Sequence, residues 1–268
     1  MSSTFRSLRY YNARLFFSGL AVSNVGTWLQ MTAMSLLVYR LSGEATAVGV
    51  TLALQMLPTL LLGAWAGVIA DGRDRRTMAI VTQSALAAQA LMLGTIDLAG
   101  WANLPVVYAL SLVLGVVNAF DNPARRGLVT ELVPTVDIPN ATSLNTAVMT
   151  GSRIFGPALA GVLVTSIGTA WCFILNVVTF FAIIFSLVAI RRDEMFPVER
   201  REKGGKPIRE ALGFVVGRRD MLIIYSLLLI VSTVAFNQGT VLPKLADVRW
   251  GGDEYYGFLL AVMSVGSL

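Results

Sequence analysis

The sequence contains no histidine and a single cysteine, Cys172. The first absence excludes His-ligated metals and Ser–His or Cys–His nucleophile pairs. The second excludes an intramolecular disulfide and Cys-cluster zinc sites. Charge is also scarce: Asp, Glu, Lys and Arg make up 14% of the 268 residues, where a soluble domain carries about 25%. What fills the chain instead is apolar, at 55% of residues and a mean hydropathy of +0.68. One soluble core could not hide that much apolar side chain, so the fold class expected is all-α and integral to the membrane. A net charge of +5 would suggest nucleic acid in a soluble protein. Here its distribution matters more than its sum, and no nucleic-acid partner is expected.

A helix crosses a hydrocarbon core of roughly 30 Å in about 20 residues. Apolar runs of that length lie near Leu15–Tyr39, Thr46–Ala70, Thr77–Leu98, Leu104–Phe120, Ala141–Ile167, Ala170–Ile190 and Met221–Val241. An eighth run, Gly257–Leu268, is too short to cross. The connections alternate in charge. Segments 1–14, 71–76, 121–140 and 191–220 hold seventeen of the 21 Lys and Arg, and the opposite set holds only Arg40, Lys244 and Arg249. The positive-inside rule therefore places the N-terminus in the cytoplasm of a multi-pass protein of the cell membrane. The first run reads as a retained helix, being too long for a signal-peptide core and followed by no small-residue cleavage site. The organisation expected is a six-helix bundle over 1–190, a basic cytoplasmic linker over 191–220, and the start of a second bundle over 221–268. In the linker, Arg200 to Gly205 read as a solvated stretch, and Ile208, Leu212 and Val215 as one face of an interfacial amphipathic helix.

Four stretches carry chemistry. The second span runs into Gly67-Val68-Ile69-Ala70-Asp71-Gly72-Arg73-Asp74-Arg75-Arg76. Asp71 lies at the negative end of its own helix, where an anion is disfavoured. It needs a nearby cation, which Arg75 and Arg76 offer, and Gly63 and Gly67 would let a neighbouring helix approach; the plain alternative is a charged turn. The fourth span closes in Phe120-Asp121-Asn122-Pro123-Ala124-Arg125-Arg126. Asp121, placed at the cytoplasmic boundary, is expected to pair with Arg75 or to cap a helix starting at Pro123.

The fifth span holds Gly151, Gly156, Pro157 and Gly161, suited to close helix packing, and Arg153 near mid-membrane. A cation there is expensive and by default functional. On a helical wheel, Thr142, Asn145, Thr146, Met149, Thr150, Arg153 and Gly156 share one half of the helix, so Arg153 faces protein or water. It reads as a cavity cation for an anionic substrate, or as a structural partner of Asp121 or of backbone carbonyls. In the first span Ser23, Asn24, Thr27, Trp28, Gln30, Met31 and Met34 form a polar and aromatic stripe. That suits a mixed-polarity cavity, with helix–helix hydrogen bonding as the alternative. The only other acidic residue placed within a span is Asp97, near its outer end and expected to be solvated. With no carboxylate deeper in a span, no proton-coupling group is apparent.

Together these stretches resemble the major facilitator superfamily, in its bacterial drug/siderophore exporter branch, similar to enterobactin exporters and macrolide-efflux proteins. The resemblance rests on Ser23-Asn24-Val25-Gly26-Thr27-Trp28, Gly67–Arg76, Phe120–Arg126 with Glu131-Leu132-Val133, Asn140–Gly161, and Phe236-Asn237-Gln238 with Leu242-Pro243. Gly72, Asp74 and Ala160 depart from the family pattern. The resemblance implies a major-facilitator-type N-terminal six-helix bundle plus helix 7 and a partial helix 8, truncated at the C-terminus relative to a twelve-span carrier. It also implies a secondary active transporter and no enzyme, using alternating access to export a small amphiphilic or anionic compound such as a drug or siderophore. No cofactor or metal is implied, and a proton gradient is the energy source it suggests.

By the same resemblance, Gly67, Asp71, Arg75, Arg76 and Asp121 form a conformational-switch motif. Gly151, Gly156, Pro157 and Gly161 form a packing motif. Asn24, Trp28, Gln30, Met31, Thr146, Met149 and Arg153 are the candidate cavity residues. The expected partners are a small-molecule substrate, the lipid bilayer and the missing second bundle, from the same gene product or a separate chain. The competing reading is a non-transporting membrane subunit or half-transporter that needs a partner chain.

Overall fold

The computed structural model describes residues 3–196, 213, 216–235, 238–250 and the single positions 255, 259 and 262. Among them there are helices and no strands. The long helices are α1 (Tyr11–Ser42), α2 (Ala45–Gly72), α3 (Arg75–Leu98), α4 (Leu104–Glu131), α5 (Ile138–Ile167), α6 (Thr169–Ala189), α7 (Arg219–Ala235) and α8 (Gln238–Trp250), with short 3-10 turns at Ser3–Arg9, Thr135–Asp137 and Arg192–Glu194. Five of them, α2 to α6, are long and apolar enough to cross a membrane. Helix α1 has the length, at 32 residues, but its polar stripe keeps it out of that apolar class. Helix α7 has 17 residues. The protein is a multi-pass membrane protein.

Helix ends follow local chemistry. The Asp74 carboxylate accepts from the Thr77 N–H at 2.7 Å and starts α3. Asn103 does the same for α4 through the Val106 N–H at 3.1 Å, with Pro105 in the first turn; both are N-caps of the ordinary kind. Gly43, at φ +70°, ends α1 in a left-handed cap whose N–H returns to the Tyr39 carbonyl.

Three elements depart from the sequence expectation. Helix α4 does not stop at Phe120 but runs through Pro123 to Glu131, so no new helix begins at the proline and Asp121 caps nothing. Ala124, Leu128 and Val129 are buried and continue the apolar face, which carries the helix across the missing proline N–H. The stretch after Val241, expected as a connection, is helical to Trp250 with Pro243 inside it. Leu242 and Ala246 pack among α1 residues, and the Tyr39 hydroxyl donates to Asp247 at 2.9 Å. Asp97 is half-buried rather than solvated, and accepts from the Thr169 hydroxyl at 2.6 Å. The amphipathic linker helix and the eighth run fall largely outside the described residues.

Within residues 1–190 the main helix pairs are α2 with α4, α1 with α6, α3 with α6, α1 with α5, and α3 with α4. Two apolar clusters stack along the bundle. One includes Phe16, Phe17, Leu20, Leu128, Phe180 and Leu187. The other includes Leu36, Leu37, Leu93, Phe173 and Cys172, a buried free thiol. Polar residues lie between them: Ser23 and Asn24 on α1 and Asn176 on α6 are all buried at the junction.

Candidate functional site: a polar pocket inside the bundle and a cationic open face

At that junction a pocket with about 430 Å³ of non-atom space, solvent included, opens among five helices. Helix α1 contributes Ser23, Thr27, Gln30, Met31 and Met34; α2 contributes Gln55; α3 contributes Gln83 and Leu86. Leu114, Asn118 and Arg125 come from α4, and Asn176 and Phe180 from α6. Close helix approach makes this arrangement possible. A Cβ at Gly115 of α4 would lie 2.6 Å from the Gln55 carbonyl oxygen and 2.8 Å from that of Leu54. Only glycine lets α2 and α4 sit that near.

The pocket wall contains a buried ion pair. Asp121 is 0% exposed, and Arg125 meets it through Nε at 2.5 Å. The Thr82 hydroxyl and the Gln83 amide of α3 both donate to Asp121 Oδ1, at 2.7 and 2.9 Å. Arg125 also reaches Asn24 Oδ1 at 3.5 Å. Next to this pair, a run of amides crosses the bundle. Asn176 donates to Gln30 at 2.7 Å, Gln30 to Gln89 at 3.0 Å, and Gln89 to the Leu110 carbonyl at 3.3 Å. Buried amides bonded to one another in this way fix the mutual rotation of α1, α3, α4 and α6. Gln30 therefore does both things expected of the stripe: it lines the pocket and bonds helices together.

A second polar surface lies on the open side of α5. Arg153 is exposed and places its guanidinium 5.3 Å from the Trp28 ring centroid, within cation–π range. Thr146 and Met149 are exposed on the same helix. Gly156 makes the contact close, since a Cβ there would fall 2.3 Å from Trp28 Cβ. Pro157 is buried beside it. Gly151 has no atom of another helix within 4 Å of its Cβ direction, and the same holds for Gly63 and Gly67, so the neighbouring helix expected against Gly63 and Gly67 is not found among the described residues.

At the basic end, Arg75 binds Asp71 at 2.7 Å and Glu131 at 3.1 Å, and donates to the Gly127 carbonyl at 3.2 Å. The carboxylate that Arg75 meets on α4 is thus Glu131, while Asp121, nearly three turns earlier on the same helix, is held by Arg125. Arg76 donates to the Leu187 and Val188 carbonyls at 2.6 and 2.7 Å, where the last carbonyls of α6 favour a cation. Asp71 itself is 69% exposed. Burial acts to raise the Asp74 carboxyl, but the Thr77 N–H and hydroxyl, with Arg192 and Arg76, outweigh it and hold it below the usual carboxylate range. The N-terminal turn is tied to the same end. Asp137 is buried and paired with Arg6 at 2.5 Å and Arg9 at 2.9 Å, and it accepts from the Tyr10 hydroxyl at 2.7 Å.

Residues 2–268 match the major facilitator family described as "Transmembrane secretion effector". The chain belongs to this family. Among similar proteins, the Staphyloferrin A transporter of Staphylococcus aureus (strain NCTC 8325 / PS 47) is 22% identical over 264 residues, covering 95% of this chain and 64% of that protein. The uncharacterized MFS-type transporter YfiS of Bacillus subtilis (strain 168) is 26% identical over 257 residues, covering 92% and 60%. This chain therefore spans less than two thirds of the length of these curated relatives. Two solved structures share the fold. One is a bacterial homologue of the human lysosomal transporter Spinster, in an inward-facing and unoccupied conformation (TM-score 0.68, 15% identity, covering 96% of this chain and 61% of that one). The other is a D-xylose–proton symporter (TM-score 0.65, 12% identity, covering 93% and 66%).

Within this major facilitator chain, Gln30 and Met31 line the pocket, and Asn24 touches it through Arg125. Trp28, Thr146, Met149 and Arg153 sit instead on the open face. Sequence reasoning missed Gln55, Gln83, Asn118 and Asn176, and took Arg125 for a loop cation. Gln55, Asn118 and Asn176 are each a lone amide in an otherwise apolar span, and Gln83 shares its span with Gln89. That signal was present, because an amide at membrane depth needs a partner.

Proposed function

We propose that this chain provides the first six-helix bundle (1–190), the basic linker (191–220) and the start of the second bundle (221–268) of a secondary exporter in the cytoplasmic membrane. Its N-terminus and basic end face the cytoplasm. The cargo is a small amphiphilic or anionic compound of the drug or siderophore kind, moved by alternating access and drawing on a proton gradient. The observation that carries this reading is Arg153 over Trp28 on the open face of α5. A guanidinium beside an indole binds a flat anionic or phenolate group by charge on one side and ring contact on the other. Membership of a transporter family and the similarity to the Staphyloferrin A transporter support the choice of class. The second bundle comes from the same gene product or from a separate chain, and intact mass of the protein from its native membrane separates these two cases.

Everted membrane vesicles containing the protein test the function. Energised vesicles should accumulate a radiolabelled anionic hydroxycarboxylate or catecholate probe several-fold above vector controls, and a protonophore should abolish the difference. Arg153→Gln should lose most of this uptake while Arg153→Lys keeps part. Equal uptake by vesicles with and without verified protein would defeat the exporter reading.

A further inference from the structure

Arg153 and Trp28 stand on different helices, so their meeting depends on how α5 is turned against α1. Besides apolar packing, two contacts join these helices. One is the close crossing at Gly156, where a Cβ would lie 2.3 Å from Trp28 Cβ. The other is at the basic end. Ser7, fully buried just before α1, donates to Asn140 Oδ1 from its N–H at 2.8 Å and from its hydroxyl at 2.6 Å. Arg6, Arg9 and Tyr10 close on the buried Asp137 carboxylate at 2.5, 2.9 and 2.7 Å. Asp137 directly precedes α5, yet its side chain makes no cap hydrogen bond and is turned to the N-terminal segment instead. Charge-assisted hydrogen bonds of this kind are directional.

Along the rest of α5 the hold is weaker. Its buried residues are Ala141, Ser152, Gly156, Pro157, Ala160 and Val164, none larger than valine, and Leu144 and Val148 are only partly buried against the apolar cluster. Small side chains let helices approach but interlock little, so they resist axial rotation poorly. Rotation matters here. A turn of about 20° moves a group on the helix surface by about 2 Å, enough to carry the Arg153 guanidinium from 5.3 Å beyond the roughly 6 Å reach of a cation–π contact. We propose that the segment Arg6–Tyr10 and its two anchors at the start of α5, Asp137 and Asn140, form a brace that sets the rotation of α5 on α1, which makes Asp137 and Asn140 positioning residues for Arg153 over Trp28. The inference rests on the exporter reading for its bearing on cargo, but the geometry is measured without transport.

Trp28 fluorescence of the purified full chain in lipid nanodiscs tests this, with Trp65, Trp101, Trp171 and Trp250 replaced by Phe so that Trp28 reports alone. Arg153→Gln should shift the Trp28 emission, because it takes the cation from the ring. In Asp137→Ala with Asn140→Ala most of that shift should already be present, and adding Arg153→Gln should move the emission little further. Asp137→Glu, which keeps the charge, should preserve most of the response to Arg153→Gln. A segment that only stabilised the fold would lower the melting temperature on substitution and leave the full Arg153→Gln shift in place, and that result would overturn the proposal. So would the absence of any Arg153→Gln shift in the parent protein. If the double variant does not fold, Asn140→Ala alone decides by the same criterion. Failed vesicle uptake with the expected Trp28 responses would sink the exporter reading alone. Energised transport with a full Arg153→Gln shift in the brace variants would sink this one alone.

Discussion

Arg125 and Arg153 are the same side chain set into neighbouring helices of one membrane bundle, and the fold treats them in opposite ways. Arg125 is 17% exposed and locked at 2.5 Å on a carboxylate with no exposure at all. It is part of the bundle's interior, lining the pocket and reaching Asn24 of α1 at 3.5 Å. Arg153 is exposed and meets the face of Trp28 at 5.3 Å. A cation can thus be kept in a membrane helix by neutralisation inside the bundle, or by presentation on a face that another element or a ligand covers. The first arrangement commits the charge to the protein's own stability. The second sets it at the surface of the bundle beside an aromatic ring. If that contrast is right, damage at the two arginines should separate into a folding defect and a transport defect.

The sharpest test removes Arg125. Arg125→Leu leaves Asp121 buried without its counter-charge and should cost about 3–5 kcal/mol, seen as a large drop in the detergent melting temperature or failure to purify. Adding Asp121→Asn should recover part of that loss, and a double variant as damaged as the single one would break the pairing argument. Next in size is Gly115→Ala. Its methyl meets two α2 carbonyls at 2.6 and 2.8 Å, so α2 and α4 must part at a cost of about 1–3 kcal/mol. The pocket should change, visible as altered hydrogen exchange at Gln55 and Asn118, while the Arg153 face stays as it was.

Gly156→Ala sharpens the other half. It crowds Trp28 Cβ at 2.3 Å and the Val25 carbonyl at 3.0 Å, and a similar or slightly smaller cost is expected, about 1–2 kcal/mol. Trp28 fluorescence should shift more than in Gly115→Ala, provided the other tryptophans are replaced. The smallest effect on stability belongs to Arg153→Gln, about 0.5–1 kcal/mol for an exposed cation–π contact. The same substitution should have the largest effect on uptake of anionic probes. A melting temperature lowered as far by Arg153→Gln as by Arg125→Leu would erase the distinction between the two arginines.

Much of the fold was legible in the sequence, because the bilayer applies one strong rule. A run of about 20 apolar residues is a spanning helix, and the first six runs all appear as helices. The ends were less legible. Helix α4 continued past Phe120 because burial of Ala124, Leu128 and Val129 outweighs the hydrogen bond lost at Pro123, and hydropathy counts the charged residues there without seeing which way they point. The site was half legible for the same reason. The stripe on α1 is periodic and could be read. Gln55, Gln83 and Asn176 are amides on three separate helices, and only their convergence gives them meaning.

By itself, then, the amino-acid sequence determined that this protein lives in a membrane, where the helices of its first part lie, which segments are basic, and that the chain resembles a major facilitator. These are local properties: hydropathy, charge and spacing along a single helix. The tertiary structure decided the pairings. It gave Arg75 to Glu131 and Arg125 to Asp121, brought amides from α1, α3 and α6 into one network, and set Arg153 on an open face. A side chain's partner depends on the rotation and separation of two helices, and those are fixed by packing such as the Gly115 contact, which no single helix contains.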